Sequence, residues 1–393
     1  MTDSAPYKHL YLVDGSGYIF RAFFAIPPRS TTGGIPTNAA FGFTNMLIKL
    51  LRESDCDGLA VVFDHSAKTF RNELYDQYKA QRPEPPEDLV PQFEMIREAT
   101  RAFALPCLEK ENFEADDIIA TLARQAREAG IRVTVVSSDK DLMQLVTDGV
   151  ELLDPIKQKP IGPAEVQEKF GVTPDKVIDV QALAGDSVDN VPGVPGIGVK
   201  TAAQLINEYG SLEALLERAG EIKQPKRREN LIANAELARI SKQLVTLKDD
   251  VPLEESLADF GLREPDTGEL RAFLEKYEFR SVLTRLADKL AAGDVIPDER
   301  EAKEGGAKGG DARPLAAAAE SSGRAPREVA PESRAELPDT GGPIDRGAYV
   351  LIQDEETLAA WIAEAEEAGT VAFDTETTGL DSMACDLVGV SLA

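Results

Sequence analysis

The sequence predicts an α/β chain: a mostly parallel sheet flanked by helices, with a helical subdomain after it. Three observations carry that prediction. From Leu10 to Asp154 short β-branched runs alternate with stretches of helical periodicity, the pattern of βαβ units. After Asp154 strand signals fade and helical periodicity takes over. Three apolar runs also end in acids: Leu10 to Val13 leads into Asp14, Leu59 to Phe63 into Asp64, and Val133 to Val136 into Ser137, Ser138 and Asp139. As parallel neighbours, those strands put their acids on one carboxyl edge, where open α/β sheets place their ligand site.

In chain order, a helix is expected over Asn38 to Leu51, with Ala40, Phe43, Leu47, Leu50 and Leu51 on one face. Another starts near Ala115 and stops at Gly130. Further helices are expected over Pro163 to Lys169, Asp175 to Ala184, Lys200 to Tyr209, Leu212 to Arg218 and Arg228 to Ser241. This helical half must pack against the sheet if Asp186 and Asp189 are to reach the other acids. Between Ala291 and Ala348 there is no aromatic residue, and Ala, Gly, Pro, Glu and Arg dominate. Such a segment cannot bury enough apolar area to offset chain entropy, so it is expected to be a flexible linker. A strand over Tyr349 to Ile352, a helix over Glu355 to Ala368 and strands over Thr370 to Phe373 and Leu387 to Leu392 then read as a fragment of a further α/β domain. The expected division is 1–170, an α/β core; 171–290, a helical subdomain; 291–348, a linker; and 349–393, the truncated start of another domain.

Composition narrows the function classes. The chain has 42% hydrophobic residues and no apolar run of about 18 residues, so a membrane span is not expected. Its three scattered cysteines suit reduced thiols in a cytoplasm better than a disulfide framework or a zinc site. A formal charge of −26 is unusual for a nucleic-acid binder, so local basic stretches must carry any phosphate contacts.

Nine carboxylates stand out: Asp14, Asp64, Glu114, Asp116, Asp117, Asp139, Asp141, Asp186 and Asp189. Singly, each has an ordinary explanation as a helix cap or turn residue. Together on one edge they repel unless cations sit between them. Hard divalent ions with oxygen ligands are the candidates, and the size of the cluster favours two.

Gly193-Val-Pro-Gly196-Ile-Gly198-Val-Lys200-Thr201 is a glycine-rich turn feeding a helix. It lacks the spacing of a phosphate loop and reads as a helix-hairpin-helix, in which a duplex backbone approaches the turn and helix amides meet phosphates. A tight turn with no ligand remains the alternative. Lys68 to Arg82 interleaves Lys68, Arg71, Lys79 and Arg82 with Tyr75 and Tyr78. That composition suits a single strand, although a solvated helix face reads equally well. The basic run Lys223 to Arg228 says little beyond a loop.

With these residues in view, residues 8–290 resemble the 5′-nuclease domains, of the flap-endonuclease family, that bacterial DNA polymerases carry. The matching segments are LVDGSGYIFRAFFA, VVFD, FRNELYDQYKAQR, FEADDIIATLA, VSSDKDLMQLV and GDSVDNVPGVPGIGVKTA. The resemblance implies a PIN-like, FEN-like fold and a structure-selective 5′ nuclease. It also implies that Asp14, Asp64, Glu114 and Asp116 hold one metal and Asp139, Asp141 and Asp186 the other, with Asp117 and Asp189 in support. The ions would be Mg²⁺, replaceable by Mn²⁺. Lys79 and Arg82 would act at the scissile phosphate, and Arg21, Arg71 and Tyr78 would handle the 5′ strand beneath a helical arch. Gly193, Gly196, Gly198, Lys200 and Thr201 would grip the downstream duplex, with K⁺ on the hairpin carbonyls. The implied substrate is DNA with 5′ flaps, nicks or RNA–DNA primer junctions, cut by a monomer in the cytoplasm.

The stretch DTETTGLD from Asp374 is similar to the first motif of DnaQ-like 3′ to 5′ proofreading exonucleases, which have an RNase H-like fold. There Asp374 and Glu376 would bind metal, but the later acidic motifs of that family do not follow within these 393 residues. Two rival readings remain. A catalytically silent junction-binding module would lack several of the nine acids, and a PIN-like ribonuclease would lack the glycine hairpin. Both features are present here.

Overall fold

The computed structural model of the chain describes residues 7–155, 157–292, 361–362, 373–377 and 387–392. They fall into two units, one within residues 1–310 and one within 311–393. The first unit begins with β1 (His9–Asp14), α1 (Gly15–Ala25), α2 (Asn38–Glu53), β2 (Gly58–Val62), α3 (Phe70–Leu74), α4 (Val90–Ala102), β3 (Cys107–Leu108), α5 (Ala115–Glu128), β4 (Arg132–Val136), β5 (Val150–Asp154) and β6 (Lys159–Ile161). Helices follow: α6 (Pro163–Phe170), α7 (Val177–Ala184), α8 (Val199–Tyr209), α9 (Leu212–Glu217), α10 (Pro225–Ala233), α11 (Ala235–Val245), α12 (Thr267–Lys276) and α13 (Arg280–Ala292).

The strands form one sheet in the order β3-β2-β1-β4-β5-β6. Neighbours from β3 to β5 are parallel, and β6 closes the edge antiparallel to β5. Because β2 pairs on one side of β1 and β4 on the other, the winding reverses at β1, and a crevice opens between the carboxyl ends of β1 and β4. Asp14 ends β1 in that crevice.

Alternation along each strand sends side chains into two separate cores. Leu10, Leu12, Val133 and Val135 pack with Ile118, Ile119 and Leu122 of α5 and with Val180, Leu183 and Ile206 of the later helices. Tyr11, Val13, Leu59 and Val61 pack on the other face with Phe43 and Leu47 of α2 and Ile96 of α4. That second core also takes in Leu270 and Phe273 of α12 and Val282 and Leu286 of α13, so the last two helices return to the sheet instead of joining the hairpin region.

The expected single helix over Arg228 to Ser241 is two, α10 and α11, parted at Asn234. The Asn234 side chain donates to the Asn230 carbonyl at 2.8 Å, offering the backbone a local alternative to helix continuation. In the second unit, β7 (Phe373–Thr377) pairs antiparallel with β8 (Leu387–Leu392), Asp374 opposite Ser391 and Glu376 opposite Gly389. DTET thus lies within a strand and not at the turn after one. Trp361 and Ile362 are helical. The expected linker, apart from its first residues in α13, the strand over 349–352 and most of the helix over 355–368 lie outside the described residues.

Candidate active site at the carboxyl edge of the sheet

Strand β1 runs into α1 through Asp14, whose carboxylate accepts from the Gly17 N–H at 2.8 Å and from the Ser137 hydroxyl at 2.8 Å. A Cβ on Gly17 would lie 2.3 Å from that carboxylate, and one on Gly15 would lie 2.4 Å from the Phe63 ring, so both positions exclude a side chain. Ser137 in turn accepts from the Asp139 N–H at 3.0 Å, and Asp139 accepts from the Asp141 N–H at 2.9 Å. One run of hydrogen bonds thus shapes both loops of the crevice.

Asp14, Asp139, Asp141, Asp186 and Asp189 line a cleft of about 510 Å³ together with Arg21, Arg82 and Lys140. The acids are near enough to disturb one another. Burial, then Asp64 and Asp139, push the Asp14 carboxyl up to about 6, against its bonds to Gly17 and Ser137. Burial, then Asp139 and Asp189, push Asp141 up to about 7. Asp116 is held well above the usual carboxylate range by burial, Asp139, Asp14 and Glu114. Asp64 lies at the exposed end of the group, where it accepts from the Ala115 N–H at 2.8 Å and ties β2 to the start of α5.

Basic side chains thread between these acids. Lys79 Nζ lies 2.9 Å from Glu114 and 3.6 Å from Asp189. Burial lowers the Lys79 pKa, but the two carboxylates outweigh it and hold the ammonium firmly charged. Arg82 reaches Asp189 at 2.5 Å, and Lys140 reaches Asp186 at 2.5 Å. Among the described residues no three His, Cys, Asp or Glu side chains converge into a ready-made ligand cage.

The glycine hairpin joins α7 to α8. Gly185 and Gly193 sit at φ +69° and +61°, and a Cβ on either would lie within 2.4 to 2.9 Å of the other's backbone. Only glycine serves at both. Gly196 also has a positive φ, +79°, whereas Gly198 has an ordinary backbone and nothing within 4 Å of where its Cβ would be. Gly198 and Lys200 are exposed, and Thr201 is half-buried on the first turn of α8.

Comparison with known proteins decides what this arrangement belongs to. Family models of the 5′-3′ exonuclease match in two parts, the N-terminal resolvase-like domain over residues 9–171 and the C-terminal SAM fold over 172–268. A 5′-3′ exonuclease of Aquifex aeolicus is 41% identical over 283 residues, which cover 72% of this chain and 96% of that protein. The chain belongs to the 5′-3′ exonuclease family. DNA polymerase I of Rhizobium leguminosarum is 52% identical over 98% of the chain, yet the exonuclease spans only 41% of that relative's length. A 3′-5′ exonuclease model matches residues 349–393. Among solved structures, zinc-bound T5 5′-exonuclease superposes with a TM-score of 0.54 at 24% identity over 69% of this chain and 99% of its own. The catalytic core of Rad2 in complex with DNA does so at 0.50 and 17% identity, over 74% and 92%. These two likenesses establish the fold.

Several expected roles in the exonuclease need correction. Arg71 is not a strand contact: it is 1% exposed, and its guanidinium grips both oxygens of Asp117 at 2.7 Å while donating to the Leu244 carbonyl at 2.8 Å. Asp117 cannot be a free metal ligand. Besides Arg71, its carboxylate accepts from the N–H groups of Lys248 at 2.8 Å and Glu114 at 3.1 Å, which leaves no lone pair facing the cleft. Tyr78 is 4% exposed, and its hydroxyl donates to Glu114 at 3.2 Å, so its ring has no face to offer a base. Two contributors went unrecognised in the sequence. Lys140 carries no signal there beyond its place between Asp139 and Asp141, and Ser137 none except its place at a strand end.

Proposed function

We propose that the cleft hydrolyses phosphodiesters of DNA at 5′ flaps, nicks and RNA–DNA primer junctions, using two Mg²⁺ ions for which Mn²⁺ can substitute. The observation that carries this reading is the crowding of buried Asp14 and half-buried Asp116 and Asp141 beside other acids at the sheet edge, all pushed up by lost solvation and by neighbouring acids. The donor set fits hard cations: it offers carboxylate oxygens and no histidine or cysteine, and a bound dication would relieve the penalty these acids carry. Asp14, Asp64, Glu114 and Asp116 are assigned to one ion and Asp139, Asp141 and Asp186 to the other, with Asp189 in support. Such ions supply an activated water and neutralise charge at the scissile phosphate.

The chain's own residues do the rest. Lys79 and Arg82 stand beside Glu114 and Asp189, within reach of an incoming phosphate, and can donate to its oxygens as charge develops. Lys79 holds a positive φ of 56°, an uncommon backbone for a non-glycine residue, which aims its side chain into the acids. Arg21, exposed on the rim of the cleft, is placed to meet the 5′ strand. Gly196, Gly198, Lys200 and Thr201 present the turn and the first amides of α8 to a duplex backbone, with K⁺ at the turn carbonyls. Cys56 and Cys107 are free thiols, each pushed up to about 11 by burial, as suits a reducing cytoplasm. The larger protein is assigned as a DNA polymerase I, with residues 1–170 as the nuclease core, 171–290 as the hairpin subdomain and 291–348 as the tether to a proofreading domain whose first acids are Asp374 and Glu376.

The test is cleavage of a 5′-labelled double-flap DNA with and without Mg²⁺. Metal-dependent release of the flap is expected, with a 5′ phosphate on the retained strand, and Lys79→Ala should slow it about 100-fold or more while changing affinity little. Equal release with chelator present would end the reading.

A further inference from the structure

The last turns of helix α11 are held by two sets of polar contacts that no step of the hydrolysis uses. One turn before the helix stops, Ser241, fully buried, accepts from the Gly193 N–H of the hairpin at 3.0 Å and donates to the Leu237 carbonyl at 2.8 Å. Lys242 adds an ion pair to Asp179 of α7 at 2.8 Å. In the next turn the last carbonyls of α11, which have no partner within the helix, are taken by groups from beside the cleft. Arg71 donates to Leu244 at 2.8 Å and to Thr246 at 3.3 Å, and Gln144 donates to Val245 at 2.9 Å. Arg71 also clamps Asp117 and lies 3.5 Å from Glu114, while Gln144 sits one turn after Asp141. Both acid-bearing segments are therefore pinned to residues 244–247, and the hairpin is pinned to residue 241. Three residues of helix separate the two sets of contacts, a rise of about 5 Å.

We propose that the last turn of α11 is a ruler between the duplex grip and the acid cleft, with Ser241 and Arg71 as positioning residues, and that its fixed span sets at which phosphate the cut falls. The proposal rests on the reading of the hairpin as the duplex contact and of the cleft as the nuclease centre. A duplex held at Gly193 to Lys200 presents one phosphate to the acids only while the hairpin cannot shift against them. A loss of either fastening lets the register slip by a nucleotide.

The measurement is the length distribution of products from a 5′-labelled flap DNA in Mg²⁺, resolved to single nucleotides, for the full chain and for Ser241→Ala, Arg71→Lys and Lys79→Ala. Wild type should cut at one main position. In Ser241→Ala, cuts at the adjacent positions should rise roughly fivefold relative to the main one, the worth of one buried hydrogen bond. Arg71→Lys should spread the cuts in the same way, and Lys79→Ala should slow the main cut without moving it. Should Arg71→Lys fail to fold, Ser241→Ala decides by itself. A wild-type distribution in Ser241→Ala, whatever its rate or melting temperature, overturns the ruler alone. A wild type that releases no flap in Mg²⁺ overturns the nuclease reading and the ruler with it.

Discussion

Arg71 and Asp116 show how differently two charged residues of the same site behave. Arg71 is buried with its charge fully matched, so Arg71→Ala strands the Asp117 carboxylate in the core. Denaturant unfolding should show a loss of about 3–5 kcal/mol, well beyond what a surface strand contact would cost. Asp116 is half-buried beside like charges, and its removal should stabilise the metal-free protein. A carboxyl whose folded pKa is raised binds its proton more tightly in the folded state, so its contribution to stability declines as pH rises from about 4 through the folded value. Asp14 at about 6 and Asp141 at about 7 act in the same direction as Asp116. His9, which burial pushes down, acts the opposite way below its usual pKa, so the variant and wild type must be compared at each pH. Melting in chelator should find Asp116→Asn more stable than wild type at pH 8 and nearly equal to it at pH 4, while cleavage is abolished with flap binding retained. A variant less stable than wild type at pH 8 would show that Asp116 is already neutralised by a cationic neighbour.

Among the elements, the hairpin separates two uses of glycine that the sequence alone presents as one. Gly196 needs its positive φ, whereas Gly198 has an ordinary φ of −93° and open space at its Cβ. Gly196→Val should therefore cost about 1 kcal/mol or more in folding. Gly198→Val should lower the melting temperature only slightly, through a poorer N-cap of α8, and weaken duplex binding, with a shallower salt dependence because fewer phosphate counterions are released. Titration of nicked duplex across a salt series checks this. If Gly198→Val binds like wild type, no backbone approaches that turn. The Lys68 to Arg82 segment is divided between fold and cleft. Its mixture of cations and aromatics fits a strand platform, yet Arg71 and Tyr78 turn inward because their partners, Asp117 and Glu114, lie 46 and 36 residues further on.

At the scale of the molecule, residues 7–292 complete both cores of the sheet. Val282, Leu286 and Leu290 of α13 are buried against the face that α2 and α4 cover. Truncation after Ala292 should thus leave 5′-nuclease activity within a few-fold and the melting temperature unchanged. Truncation before Arg280 should expose that face and give insoluble or unfolded protein. Activity and calorimetry of the two truncations are the check, and a collapse of the longer one would mean that residues beyond 292 support the nuclease.

Sequence by itself determined the parallel sheet, the carboxyl edge and the acids on it. Strand periodicity and the acid that ends each strand are local signals, and parallel pairing leaves those acids no other edge. It also determined that Gly193 to Lys200 is a turn into a helix, since glycine spacing is a backbone property. Tertiary structure decided which charges are spent on the fold. Arg71 and Asp117 neutralise each other in the core, Lys140 closes on Asp186, and Ser241 holds the hairpin. The cost of burying a polar group depends on the partner it meets there, and the partners of Arg71, Lys140 and Ser241 lie 46 to 48 residues away along the chain.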